Sequence, residues 1–506
     1  MKRNIFLLIA IFVVSNIQAQ SIIDGLRYSK DGPYGTARFS AMSGAFGALG
    51  GDLTAIHSNP AGSAVFLENT ASVSLSFLDT KNETNYFNTT DSNFNSEVSL
   101  NQAGIVFVFD NHIEDSSWKK FTLGLSYETT NNFDNDFFAH GQSNSSIDSY
   151  FLNFAQGIPL NLLQLQTGES ISDLYRFLGE TEGFGAQQAF LGFQSFLLDP
   201  TDPENPDNTT YFSNIAPGNF NQEFSFNSSG YNAKYTINLA TQINNIYIGL
   251  NLNSHLIDYR ESTFFFESNN NEGSLINEVG FQNNLVVLGN GFSAQFGAIA
   301  KVSDYIRIGL SYDTPTWYTI SEETTQQIDT RRTENGTSIT ERIRPNIINI
   351  FEDYKLRSPG KLTGSMAYLF GKEGLLSVDY SYKDYSNIQF SPLKEPLFNA
   401  QNSLIDSSLK GSSSIKLGGE YRWNQVSFRS GFQYEQSPYA NTEVMGNLTG
   451  FSLGLGYNFG SFRLDAAYAR TEQDRNNQLF QGSAFTNTAS INSINNFFTL
   501  TTNFLF

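Results

Sequence analysis

From Thr70 onward the chain alternates apolar and polar residues with a period of two, the signature of strands that show one face to an apolar medium. Val73, Leu75 and Phe77 alternate with Ser72, Ser74 and Ser76. Ala103–Phe109, Phe121–Tyr127, Tyr235–Leu239, Ile246–Leu252, Phe292–Phe296 and Ile306–Tyr312 repeat the pattern. A less regular run covers Leu362–Phe370, and Leu376–Tyr382 restores it. Ile415–Tyr421, Val426–Tyr434, Phe451–Phe459, Phe462–Tyr468 and Phe498–Phe506 complete the series. This predicts about fourteen strands, an even number of the kind that closes into a membrane barrel.

Charge follows parity. Arg307, Asp379, Lys416, Glu420, Arg422, Arg429, Arg463 and Asp465 all fall on the face opposite the apolar residues. A Lys or Arg facing lipid at the midplane costs about 2–4 kcal/mol, so the separation is expected of a barrel. The connections alternate too. Asn244-Asn245, Ser303-Asp304, Gly371–Gly374, Asn424 and Gly460 are tight turns, and Asn111–Ser117 is a longer one. Between them lie long links: Asp134–Gly230, Glu261–Gly291, Ser321–Gly360, Asp384–Gly411, Gln436–Gly446 and Thr471–Asn495. Short periplasmic turns and long external loops alternate in this way. The fold class expected is all-β: a closed antiparallel transmembrane β-barrel of about 14 strands.

The link 134–230 is too long for a structureless loop. Its apolar residues recur at helical spacing, including Leu174, Phe177, Leu178, Phe190, Phe193 and Leu197. It is expected to be partly helical and external. Phe177, Phe190, Phe193 and Leu197 either pack within it as a lid or line a groove that captures an apolar ligand.

Composition narrows the choices. Aromatic residues make up 14% of the chain and charged residues 16%, with polarity supplied by Asn, Ser, Thr and Gly, as suits strands between lipid and water. A net charge of −19 argues against nucleic acid as a partner. Cysteine is absent, the four histidines are scattered, and no P-loop, G-x-S-x-G or H-E-x-x-H occurs. An enzyme is therefore not expected, and neither cofactor nor metal is called for. Residues 1–19 read as a secretory signal, with Lys2 and Arg3 before the apolar core Ile5–Val14.

Between signal and first strand lies GTARFSAMSGAFGALGGDLTAIHSNPAGSA, Gly35–Ala64. Its glycines and alanines cannot bury enough surface to fold alone but permit close packing inside something else. Asn59-Pro60-Ala61-Gly62 marks a sharp turn, since Pro60 fixes φ and biases Asn59 towards extended backbone. The small-residue run Met42–Gly51, then Asp52, then Asn59-Pro60-Ala61 resembles the N-terminal hatch of FadL/TodX-type outer-membrane transporters of long-chain fatty acids and other hydrophobic compounds. The resemblance implies a hatch at residues 20–69 plugging a barrel at 70–506. It also implies passive uptake of a hydrophobic small molecule in the outer membrane of a Gram-negative bacterium, with lateral release through the wall beside the hatch. Membrane lipid and lipopolysaccharide are the expected surroundings, and the strand ending at Phe506 resembles the signal read by the barrel-assembly machinery. For a ligand carboxylate, Arg307, Lys416, Arg429 and Arg463 are candidate partners; the competing role is a lumenal network with Glu420, Asp465 and Asp379. FadL-like barrels also include docking components of secretion systems, which share the architecture.

Overall fold

The computed structural model describes residues 21–506 except Glu114 and Asn335. The expected signal segment 1–19 lies outside the described residues. The wall has fourteen antiparallel strands: β1 Thr70–Tyr86, β2 Thr89–Asp110, β3 Trp118–Asn132 (continued by Asn135–Ser143), β4 Phe220–Ile243, β5 Ile246–Ser268 and β6 Ile276–Lys301. There follow β7 Ile306–Asp313 (continued by Trp317–Glu334) and the interrupted β8, whose main pieces are Thr337–Ile343, Tyr354–Arg357 and Lys361–Phe370. The remainder are β9 Gly374–Asp384, β10 Gly411–Trp423, β11 Val426–Glu435, β12 Leu448–Asn458, β13 Phe462–Gln478 and β14 Thr488–Leu505. Each pairs with its neighbour, and β14 returns to β1 with Thr70 opposite Leu505, which closes the barrel.

The outward residues are those the alternation picked out. Leu310, Leu376, Leu453, Phe432 and Phe504 stand exposed on the wall, while Ser72, Ser74, Ser76, Asn238 and Asn251 are buried inside. Rings gather at both edges of this band: Tyr305 stacks on Tyr368 at the short-turn end, and Tyr127 packs on Tyr235 further up. Among the described residues no helix is long and apolar enough to cross a membrane.

Two expectations need correction. Most of the supposed long links are strand: β5 runs to Ser268 and β6 begins at Ile276, β7 runs to Glu334, and β13 and β14 together fill most of 471–495. Past the membrane both faces are wet, so the apolar alternation ends while the backbone ladder continues. The first long-end connection is also only Phe87-Asn88, both at positive φ, a two-residue turn suited to the strand twist.

The helical reading of the long link holds. Four helices, Asp148–Ala155, Leu160–Leu163, Ile171–Thr181 and Phe184–Gln194, form a lid over the long-loop end. They pack against the tips of the strands and share one core with Phe224, Phe265, Phe281 and Phe480.

Candidate functional site

The lumen is filled by the N-terminal segment. Short helices at Ile22–Arg27, Ala37–Ser40 and Ala55–Ser58 and a 3₁₀ turn at Pro60–Val65 run between buried stretches of small residues. Asp52 organises the segment from within: its Oδ1 accepts from Thr36 Oγ1 at 2.7 Å and from Thr54 N at 3.0 Å. Asn59 Nδ2 donates to the carbonyls of Gly47 (2.8 Å) and Ala298 (3.0 Å), and its Oδ1 accepts from Ala61 N. One amide thus ties the turn, the small-residue run and the wall together.

The wall meets this segment with glycine. A Cβ on Gly249 would collide with Pro60, one on Gly297 with Asn59, and one on Gly309 with the Gly47 carbonyl. Gly249 lies directly opposite Gly297 in the pairing of β5 with β6, so the Asn59-Pro60 turn sits in a notch made for it. Around the notch, inward side chains satisfy the segment's carbonyls: Asn251 donates to Ile56 O, Gln295 to His57 O, Ser311 to Ser58 O and Asn238 to Pro60 O, all at 2.8–2.9 Å. Buried backbone groups need such partners, and here the wall supplies them.

Charge provides a second anchor. Arg38 grips Glu420 through Nε at 2.7 Å and Nη2 at 3.2 Å. Arg429 bridges Glu420 (2.6 Å) and Asp465 (2.7 Å), and Arg463 Nε donates to Asp465 at 2.7 Å. Asp379 Oδ2 accepts from Phe46 N and Gly47 N, both at 2.9 Å. Arg307 donates to Leu49 O at 2.9 Å. Three of the four candidate carboxylate partners are therefore engaged: Arg307 holds the hatch directly, while Arg429 and Arg463 pair with the wall carboxylates Glu420 and Asp465, the first of which Arg38 of the hatch grips. Only Lys416 lines the cavity above the hatch.

That cavity, about 590 Å³, lies between the hatch and the lid. Its upper wall is aromatic: Phe137, Tyr150, Phe224, Phe226, Phe281 and Phe480. Its lower wall is ionic. Arg27 pairs with Asp24 (2.6 Å) and Glu261 (3.3 Å), and Lys361 with Asp313 (3.0 Å) and Asp31 (3.5 Å). Lys30, Lys416 and Arg475 also line it, and among the described residues none has a carboxylate within 4.0 Å. Sequence reasoning missed Lys30 and Arg475, which sit outside the alternating apolar runs. The lid candidates lie elsewhere: Phe190 and Leu197 are in the lid's own core, Phe193 packs against that core, and Phe177 is exposed on the surface.

The wall has one interruption beside the hatch. β2 pairs with β3 only from Gln102–Glu128 down to Asp110–Lys120. Above that level the backbone ladder between them stops among the described residues, and side chains bridge instead. Asn93 Oδ1 accepts from Phe138 N at 2.9 Å, Asn132 Nδ2 donates to Glu97 at 2.9 Å, and Thr129 Oγ1 donates to Leu100 O at 2.8 Å. At the foot of this seam a bulge turns Asn101 inward, where its Nδ2 meets Gly35 O of the hatch at 3.2 Å. A separate concavity of about 1090 Å³ indents the outward face between β9 and β13, where Gly419 and Ser430 stand side by side without bulk. It opens towards the bilayer.

No protein-family model matches the chain, and no curated protein does. Solved structures do. A FadL homologue of Pseudomonas aeruginosa superposes with a TM-score of 0.52 at 13% identity, covering 94% of this chain and 100% of that one. The P. putida toluene transporter TodX gives a TM-score of 0.51 at 12% identity, covering 94% and 99%. With its closed fourteen-strand wall, its lumenal hatch and its helical lid, the chain has the fold of the FadL/TodX-type outer-membrane barrels.

Proposed function

We propose that this protein takes up hydrophobic small molecules across the outer membrane of a Gram-negative bacterium, and that amphiphilic acids such as long-chain fatty acids are the class its cavity suits. The observation that carries the reading is the cavity's polarity. An aromatic roof faces an ionic floor on which Lys30, Lys416 and Arg475 lack a carboxylate partner. A volume of about 590 Å³ falls within the range of small-molecule sites. A chain would lie against the rings, and its carboxylate would meet these cations, which is what a buried anion requires. Entry would pass the lid. Exit would use the seam between β2 and β3, which parts by exchanging side-chain bonds and leaves the ladder below it intact.

The test is mass spectrometry of apolar molecules released from the protein purified in native lipid particles, with an empty barrel of similar size as control. Enrichment of a long-chain acid is the expected result. Enrichment of a neutral hydrocarbon would retain uptake and remove the acid. Ordinary membrane lipid with a co-purifying polypeptide would overturn uptake in favour of a docking role.

A further inference from the structure

Lys355 and Arg357 are outward-facing cations on β8. In the segment Tyr354–Arg357 the two flanking residues, Tyr354 and Leu356, are buried, and these two are exposed. Arg357 stands opposite Trp317 of β7, and Lys355 opposite Thr319. Below them on the same face come Leu362, beside Tyr312, and Met366, beside Ile308, with Tyr368 near the short-turn end. The two cations therefore sit just above the aromatic edge of the apolar band, on the long-loop side. At that height the polar head groups of the outer leaflet begin.

Their electrostatic state differs from that of several other outward cations. Lys81 pairs with Glu83, Arg260 lies 3.6 Å from Asp258, and Arg470 lies 3.8 Å from Glu472. Among the described residues, Lys355 and Arg357 have no carboxylate within 4.0 Å. The nearest acid along their strand, Asp353, accepts from Ser321 Oγ at 2.5 Å. Directly below, outward-facing Gly364 has open space where a Cβ would be, so the band carries a shallow trough between Leu362 and Met366.

We propose that Lys355, Arg357 and Trp317 form a binding site for a phosphorylated outer-leaflet glycolipid. Its phosphate lies between the ammonium and the guanidinium, and an acyl chain runs down over Gly364. Arginine suits a phosphate through its planar fork, and lysine adds a mobile point charge. The indole beside Arg357 anchors the interface between head group and chain. This site is on the outside of the wall, separate from the lumenal cavity, and holds the barrel at a fixed depth and rotation. The inference rests on the outer-membrane reading.

The experiment is native mass spectrometry of the detergent-purified full-length protein titrated with diphosphoryl lipid A, its dephosphorylated counterpart, or phosphatidylglycerol. Wild type is compared with the double variant Lys355→Gln/Arg357→Gln. Both positions are exposed, and heat-modifiable migration checks that the barrel is folded. Wild type should retain diphosphoryl lipid A preferentially, and the double variant should lose about 30-fold, near fivefold for each charge. Equal retention by the double variant overturns the site. Equal binding of the dephosphorylated lipid, or of phosphatidylglycerol, overturns the proposed occupant. Displacement by equimolar inorganic phosphate would reassign the site to a free anion. Membrane fractionation separates the two readings: a barrel found outside the outer membrane removes the basis of both, whereas outer-membrane residence with an indifferent double variant removes only this one.

Discussion

Replacing Arg38 with Met should loosen the hatch and leave the barrel unchanged. The Arg38 side chain is only 6% exposed and that of Glu420 is fully buried. The substitution keeps an unbranched apolar stem, two atoms shorter, and removes both charge-assisted bonds. Breaking a buried ion pair by deleting one partner costs about 3–5 kcal/mol, chiefly because the remaining charge is stranded. Here Glu420 keeps Arg429 at 2.6 Å and Arg422 at 2.8 Å, so the low end applies, about 3 kcal/mol. That corresponds to roughly a 150-fold shift in the docking equilibrium. The loss falls on the hatch because Arg38 is its own contribution, while the residual network joins wall strands to each other. Hydrogen exchange should show amides from Ala41 to Gly47 exchanging about 100-fold faster, with amides of β9 to β13 unchanged. Unchanged hatch exchange would refute the assignment of Arg38 as an anchor. Equal acceleration in the wall would show that the network stabilises the barrel instead.

Three further outcomes are expected. Gly297→Ala should displace Asn59 and raise the leak of small solutes in a liposome-swelling assay, whereas Gly364→Ala, in open space, should be silent; equal behaviour of the two would deny the notch its role. Glu267, near the outer tip of β5, anchors the lid through Ser146 Oγ and Ile147 N and is itself held by Gln222 Nε2 of β4; burial pushes its carboxyl up to about 7 despite these donors. Asp148, close by, is raised in the same direction, first by burial. Because the folded value exceeds the ordinary one, lid docking is strongest below about pH 4.5 and weakens as pH rises to about 7. Proteolysis within 144–219 should therefore be slower at pH 5 than at pH 8, and Glu267→Gln should remove most of the difference. Lys416→Gln with Arg475→Gln should weaken binding of a long-chain carboxylate at least tenfold while leaving a neutral hydrocarbon of equal length unaffected, as read by competition with a fluorescent lipid; equal losses would mean the cations act on cavity shape.

The wall was legible because one face of each strand meets lipid, where a misplaced charge is costly, so Leu376, Val378, Tyr380 and Tyr382 cannot be anything but outward. Beyond the membrane that constraint lapses, and the continuation of β7 past Trp317 looks like loop although its ladder to β6 runs on in one register from Trp317 to Arg331. Asn59-Pro60 announced a turn by its own chemistry. The glycines that receive it did not, since Gly249, Gly297 and Gly309 are 190 or more positions away and only the barrel register brings them to one patch. The signal that could have found them is glycine on the inward parity of three adjoining strands. Arg429 and Lys416 show a further limit: two cations at the same inward parity of adjoining strands end up in an ion-pair network in one case and facing the cavity in the other, and only the position of the hatch distinguishes them.

The interrupted ladder between β2 and β3 also has a mechanical consequence. Near the short turns every strand is bonded to both neighbours, so that zone is a complete hoop and can widen only by stretching hydrogen bonds. Higher up, β9 to β12 stop at Asp384, Gly411, Glu435 and Leu448, while β2 and β3 have already parted. What stands above the hoop is two panels, one made of β13, β14, β1 and β2, the other of β3 to β8. Two panels rooted in a common hoop can rock apart by bending at their bases, with little work against the backbone. The lid helices join the tips of both, through Phe480 on one side and Phe281 on the other. A ligand that alters the packing of those rings would therefore act at the end of the longest lever the molecule has.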